Sequence, residues 1–222
     1  MTKKTIISRL TLLGCCLGLA VWMTPAFTRG QSQIETEQAA ADQNLGNQWW
    51  RPNPDPRISI RPVLNFSDHS VVPATGTTLV RTRDNVFATM HTSGLTPGTA
   101  VTFWWAFFNN PHNCATRPCT PADLSNPAVA GSVANGGGKI IGIDGTATYG
   151  AFRRVGDTTG VFPGLGTAQG LLDPLRAEIH LVTRTHGPAL NDATMLGQQL
   201  SLFNGGCPPN ACANLQASIH QP

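Results

Sequence analysis

The chain has 222 residues, of which 12% are charged, with 23 glycines and 17 prolines. Its formal charge is +3, but 3 of its 15 basic residues and none of its 12 acidic ones fall in the first 26 positions, so the rest balances at 12 against 12. A balanced remainder with a single lysine, Lys139, excludes nucleic-acid binding by bulk charge, and its length suits one domain with a real core.

The chain opens on MTKKTIISRLTLLGCCLGLAVWMTPA. Lys3, Lys4 and Arg9 flank an apolar run from Leu10 to Met23 that is short for a bilayer span, and Pro25-Ala26 offers a small residue for cleavage. Residues 1–26 therefore read as a secretory signal peptide, which predicts a secreted or periplasmic protein with no integral membrane span. Leu12-Leu13-Gly14-Cys15 also resembles a lipobox, so lipoprotein anchoring through Cys15 is the alternative. Residues 27–56 read as a flexible leader and linker. Pro52, Pro54 and Pro56 form an extended spacer, and Trp49-Trp50 either packs on the domain edge or is an exposed contact.

Residues 57–222 read as a single all-β domain: an immunoglobulin-like or related antiparallel β-sandwich with long loops. Thr77–Thr82 and Val86–Thr92 flank a turn at Arg83-Asp84-Asn85. Leu95-Thr96-Pro97-Gly98-Thr99 resembles the inter-sheet corner of fibronectin-type sandwiches, with Val101 where that corner carries tyrosine. Val101–Phe108 is apolar on both faces, which fits a doubly buried strand; the rival reading makes Trp104 and Trp105 part of an aromatic ligand groove. A short helix is expected within 121–134, followed by a glycine loop at Gly136–Gly138. Asp144-Gly145 has the form of a two-residue hairpin turn between Lys139–Ile143 and Thr146–Arg153. Residues 155–174 read as a long loop, and short strands are expected at Gln198–Phe203 and Leu215–His220.

Beyond the signal segment four cysteines remain, as Cys114-ATRP-Cys119 and Cys207-PPNA-Cys212. In an exported chain they predict disulfides, with local pairing 114–119 and 207–212 preferred over the two crossed connectivities and over a four-cysteine zinc site.

The most polar strand is AEIHLVTRTHGPA, Ala177–Ala189. Alternation puts Glu178, His180, Val182, Arg184 and His186 on one face and Ile179, Leu181, Thr183 and Thr185 on the other, the apolar set facing the core. Glu178 and His180, about 7 Å apart along the strand, can reach one metal or one substrate group. His186 lies roughly 20 Å from His180 and cannot join them. A metal would need a ligand from another strand, His91 or His220, with Arg184 bracing the pair. The rival is a solvated polar face with no chemistry. His69 and His112 sit in loops. No G-x-S-x-G elbow occurs, and paired cysteines rule against Cys–His catalysis.

FNNPHNCATRPCTPADL, AEIHLVTRTHGPA and GGCPPNACANLQASIHQP together resemble a group of uncharacterised exported bacterial proteins over about residues 73–222. The THGPA stretch after a histidine strand is also similar to the H-x-H-G-x-A region of CHRD domains, extracellular β-sandwich modules, although His180 and His186 are more widely spaced than in that pattern. These resemblances imply a secreted domain and carry over no catalytic residues. The expected function is an exported binding or structural module, not an enzyme, for an unknown extracellular ligand or protein. No cofactor is predicted. The alternative is a metal-dependent enzyme centred on Glu178 and His180, with His220.

Overall fold

A computed structural model describes residues 56–222. The signal segment, the Cys15 lipobox, Trp49-Trp50 and the leader up to residue 55 lie outside the described residues. Among the described residues ten strands form two antiparallel sheets: β1 (Arg57–Arg61), β2 (Leu64–Asn65), β3 (Gly76–Arg81), β4 (Asn85–Thr92), β5 (Thr99–Phe108), β6 (Gly131–Ile140), β7 (Ala147–Arg154), β8 (Val161–Gly166), β9 (Glu178–Pro188) and β10 (Ala213–His220). One sheet has the order β1-β3-β4-β7 and the other β2-β10-β9-β5-β6-β8. The chain is thus an all-β sandwich. Among the described residues a single α-helix, α1 (Ala193–Gln199), follows β9; the Asp192 carboxylate caps it by accepting the Met195 N–H at 2.8 Å.

The four-stranded sheet alternates buried and open positions, as the period of two demands when one face meets the core. Leu79, Val86, Ala88 and Met90 meet Val101, Phe103, Trp105, Phe107, Ile179 and Leu181 across the sandwich. Tyr149, the only tyrosine, stacks on Phe103 with ring centroids 5.4 Å apart and donates its hydroxyl to the Val101 carbonyl at 3.2 Å. β5 is buried along almost its whole length because both faces are covered. Its second face, with Trp104, Ala106 and Phe108, packs under Cys119, Leu124, Val129 and Val133. The outer face of the six-stranded sheet therefore carries a small core of its own.

Several expectations change. β6 and β7 belong to different sheets, so Asp144-Gly145 is not a hairpin turn but part of the crossing between them. There Gly145, at φ +66, presents its carbonyl to the Leu95 N–H at 3.0 Å. The glycines 136–138 lie inside β6 rather than in a loop. A Cβ on Gly136 would come within 2.3 Å of the Phe103 ring, and one on Gly138 within 2.4 Å of the Leu200 carbonyl oxygen, so these two are glycine because neighbours lie against them, while Gly137 has open space and a φ of +120. The stretch 155–174 contains β8, the edge of its sheet. The helix expected within 121–134 is two 3-10 turns, Pro121–Ser125 and Pro127–Val129, each begun by a proline. Residues 198–203 form the end of α1 and the turn after it, not a strand. The hairpin of β3 and β4 and the strands β5, β9 and β10 stand where expected.

Candidate functional site

Two disulfides, Cys114–Cys119 and Cys207–Cys212, follow the local pairing. The first closes a loop over the outer face of β9. From the 3-10 turn that follows the loop, the Asp123 carboxylate accepts the backbone N–H groups of Ala115 at 2.8 Å and Thr120 at 2.7 Å, which hold its pKa below the ordinary value. With its backbone fixed at both ends, the loop turns the Cys119 N–H inward, to donate to Glu178 Oε1 at 2.7 Å.

Glu178 and His180 meet. Both are buried, and His180 Nε2 lies 2.8 Å from the same Glu178 Oε1. The pair is therefore not a solvated face, and this corrects the expectation of an outward polar strand. Glu178 Oε2 is buried without a hydrogen-bond partner among the described residues. The imidazole packs against Phe108 with ring centroids 4.7 Å apart. With Nε2 committed to the carboxylate, Nδ1 is the nitrogen left to serve the surroundings, as acceptor when the ring is neutral and donor when it is charged.

His180 borders two adjoining cavities that share it with Phe66 and Pro121. The smaller, of about 100 Å³, is walled by Trp104, Phe108, Val133, Leu165, Val182 and Phe203. Phe203 closes it: its ring meets Trp104 edge-on at 5.0 Å and stacks on Phe162 at 4.7 Å. The larger, of about 620 Å³, runs between β2 and the disulfide loop and carries Arg117 and His69.

The remaining sequence candidates fall elsewhere. His220 pairs in register with Ile179, whereas Ile219 pairs with His180, so His220 points to the opposite side of the sheet and cannot share an ion with Glu178 and His180. His91 is exposed on the four-stranded sheet, bonded to Thr148 at 2.9 Å. Arg184 does not brace the glutamate. It lies 4.2 Å over the Phe203 ring and donates to the Phe203 carbonyl at 2.8 Å and to the Asn214 side chain at 3.0 Å, thereby holding Phe203 in the cavity wall. Trp105 lies in the core between the sheets, so of the two tryptophans only Trp104 belongs to the groove.

His186 is buried, with Nδ1 2.8 Å from the Gly205 carbonyl and Nε2 2.7 Å from Thr102 Oγ1, which in turn accepts Trp104 Nε1–H at 2.6 Å. Burial pushes its pKa down, against the pull of the Gly205 carbonyl. Among the described residues one trio of potential metal ligands converges, His186 with Cys207 and Cys212, and there both sulfurs are consumed in a disulfide.

The alternation of β5 points to Ala106 and Phe108 as companions of Trp104. Phe203, Arg117 and His69 carry no such signal, because loops and a turn bring them to the sheet, and Leu165 sits on β8 within a stretch that reads as a loop. No family model matches the chain, and neither the curated proteins nor the solved structures give a match.

Proposed function

We propose that the chain is an exported binding module whose site is the groove over the outer face of the six-stranded sheet, and that its ligand is small and largely apolar. The observation that carries this reading is the cavity between Trp104, Phe108 and Phe203 with one polar ring nitrogen, that of His180, at its border. Recognition sites of this kind are apolar hollows with few oriented polar groups. The volume of about 100 Å³ is somewhat below the roughly 150 Å³ of an engineered cavity that takes benzene, so one ring or a short alkyl segment fills it. Two disulfides support export, since such bonds persist in oxidising compartments. Among the described residues no helix is long and apolar enough to cross a membrane. The metal-centred alternative retains two of its three ligands, and those two are bonded to each other.

Calorimetric titration with benzene, p-cresol and indole tests the proposal. Binding tighter than about 1 mM by at least one of them is expected. It is expected to be lost in Ala106→Leu, whose isobutyl group occupies the groove from the sheet side. Equal binding by that variant would move the site away from this face. No binding by any of the three would reduce the face to a second core.

A further inference from the structure

The two cavities that meet at His180 differ in character. The smaller has no titratable side chain in its walls apart from the His180 ring, while the larger carries Arg117 and His69. No aspartate or glutamate lines either one. Three carboxylates on adjoining elements accept hydrogen bonds of their own, although Glu178 Oε2 keeps no partner among the described residues. Glu178 is fully buried and accepts from Cys119 and His180, Asp123 accepts from Ala115 and Thr120, and Asp68 accepts the Ser70 N–H at 2.9 Å and its hydroxyl at 2.7 Å. Arg117, by contrast, is exposed and has no hydrogen bond or ion pair to another side chain among the described residues. Its backbone is anchored in the Cys114–Cys119 loop, and from that constrained base it lines this cleft as well as a neighbouring cavity shared with His112 and Arg176. Opposite it, His69 is held at φ +57 in a turn closed by hydrogen bonds between Asn65 and the backbone of His69 and Ser70. A left-handed histidine is uncommon and costs conformational energy, which the turn offsets.

We infer that the ligand is an aryl-alkyl carboxylate, its ring in the Trp104–Phe203 cavity and its carboxylate in the adjoining cleft with Arg117. This rests on the binding reading above and adds the sign of the ligand's charge. A guanidinium matches a carboxylate in a planar, bidentate fashion, which an ammonium or hydroxyl cannot reproduce. His180 stands at the junction of the two cavities and receives the region where ring and head group join. His69 lines the same cleft and offers its ring nitrogens to a polar head group.

The test is calorimetric titration of the full chain with ω-phenyl carboxylates from phenylacetate to 5-phenylpentanoate, each beside the alcohol and the amine of the same length. For at least one length the acid binds about tenfold or more tighter than the alcohol, and the amine binds most weakly. In Arg117→Gln the preference for acid over alcohol falls to within about threefold, while alcohol affinity is unchanged and so reports an intact fold. Equal affinity for acid and alcohol in the wild type, tighter binding of the amine, or a preference that survives Arg117→Gln each overturns the assignment of charge and leaves the apolar site standing. If no acid, alcohol or amine binds, the binding reading itself falls, and this inference with it.

Discussion

His220 lies inside the sandwich with a hydrogen bond at each ring nitrogen: Ser59 Oγ at 2.7 Å from Nδ1 and Thr77 Oγ1 at 2.9 Å from Nε2. With Ser59 donating to Nδ1 and Thr77 donating onward to the Arg61 carbonyl at 3.1 Å, the neutral ring is satisfied at both positions. A proton would add a charge to a site next to the buried Arg81, whose guanidinium donates to the His220 carbonyl at 2.8 Å. Burial first, and then the fields of Arg81 and Arg61, push the His220 pKa down to about 3. The folded value lies below the unfolded one, near 6.5, so the unfolded chain takes up a proton that the folded chain refuses. Stability is therefore complete above about pH 6.5 and falls as the pH drops toward 3. Linkage gives a loss of at most about 2 kcal/mol from this one group between pH 7 and pH 5. Urea unfolding at the two pH values measures it. In His220→Gln, which keeps a polar group but does not titrate, the loss is expected to shrink by most of that amount. An unchanged pH dependence would show that His220 is not the responsible group.

At the scale of elements, the strands with strict alternation were legible, because period two and a one-sided core leave a plain pattern in β3 and β4, while β9 alternates in sequence and is buried on both faces. Legibility failed where the signal depends on a partner distant in sequence. Asp144-Gly145 has the composition of a hairpin turn, yet the strands on either side of it join different sheets. The glycines of β6 look like a loop and are in fact a strand pressed against Phe103 and Leu200. The site was half legible for the same reason. Glu178, His180 and Trp104 follow from alternation, whereas Phe203 and Arg117 come from a turn and a disulfide loop. The facing of His220 is fixed only by the register of β10 on β9. Gly138 offers a direct test, since an added Cβ would sit 2.4 Å from the Leu200 carbonyl oxygen and 2.8 Å from its Cα. Both are backbone atoms that a rotamer change cannot clear. Gly138→Ala is expected to cost about 1–3 kcal/mol, the range for overpacking, and to lower Tm by roughly 2–4 °C per kcal/mol. Gly150→Ala on β7, where nothing lies within 4 Å of the new methyl, is the control and should hold or raise Tm. Equal thermal shifts for the two variants would count against the close approach of α1 to β6.

At the scale of the whole molecule, the two sheets use their outer faces differently. The six-stranded sheet is covered on both sides along its central strands β5 and β9. The outer face of the four-stranded sheet carries a row of apolar side chains in mutual register, Ile58 beside Val80, Val80 beside Phe87 and Phe87 beside Phe152. Ile58, Phe87 and Phe152 remain 63%, 44% and 48% exposed. Stability should therefore be concentrated in the layer between the sheets and beneath the covered face. Phe87 and Phe103 make the comparison clean, being the same residue type in mid-strand positions of opposed sheets. Phe103 is fully buried and stacks on Tyr149, so Phe103→Ala is expected to cost about 3–5 kcal/mol through lost burial and the cavity left behind. Phe87→Ala removes a ring that is still nearly half in water and leaves no enclosed cavity, so about 1 kcal/mol is expected, mostly from its cross-strand contacts. Denaturant midpoints at a common m-value give both numbers. A loss at Phe87 as large as that at Phe103 would mean that, in the full chain, the outer apolar row is buried against something, and that the sandwich is three-layered on this side as well.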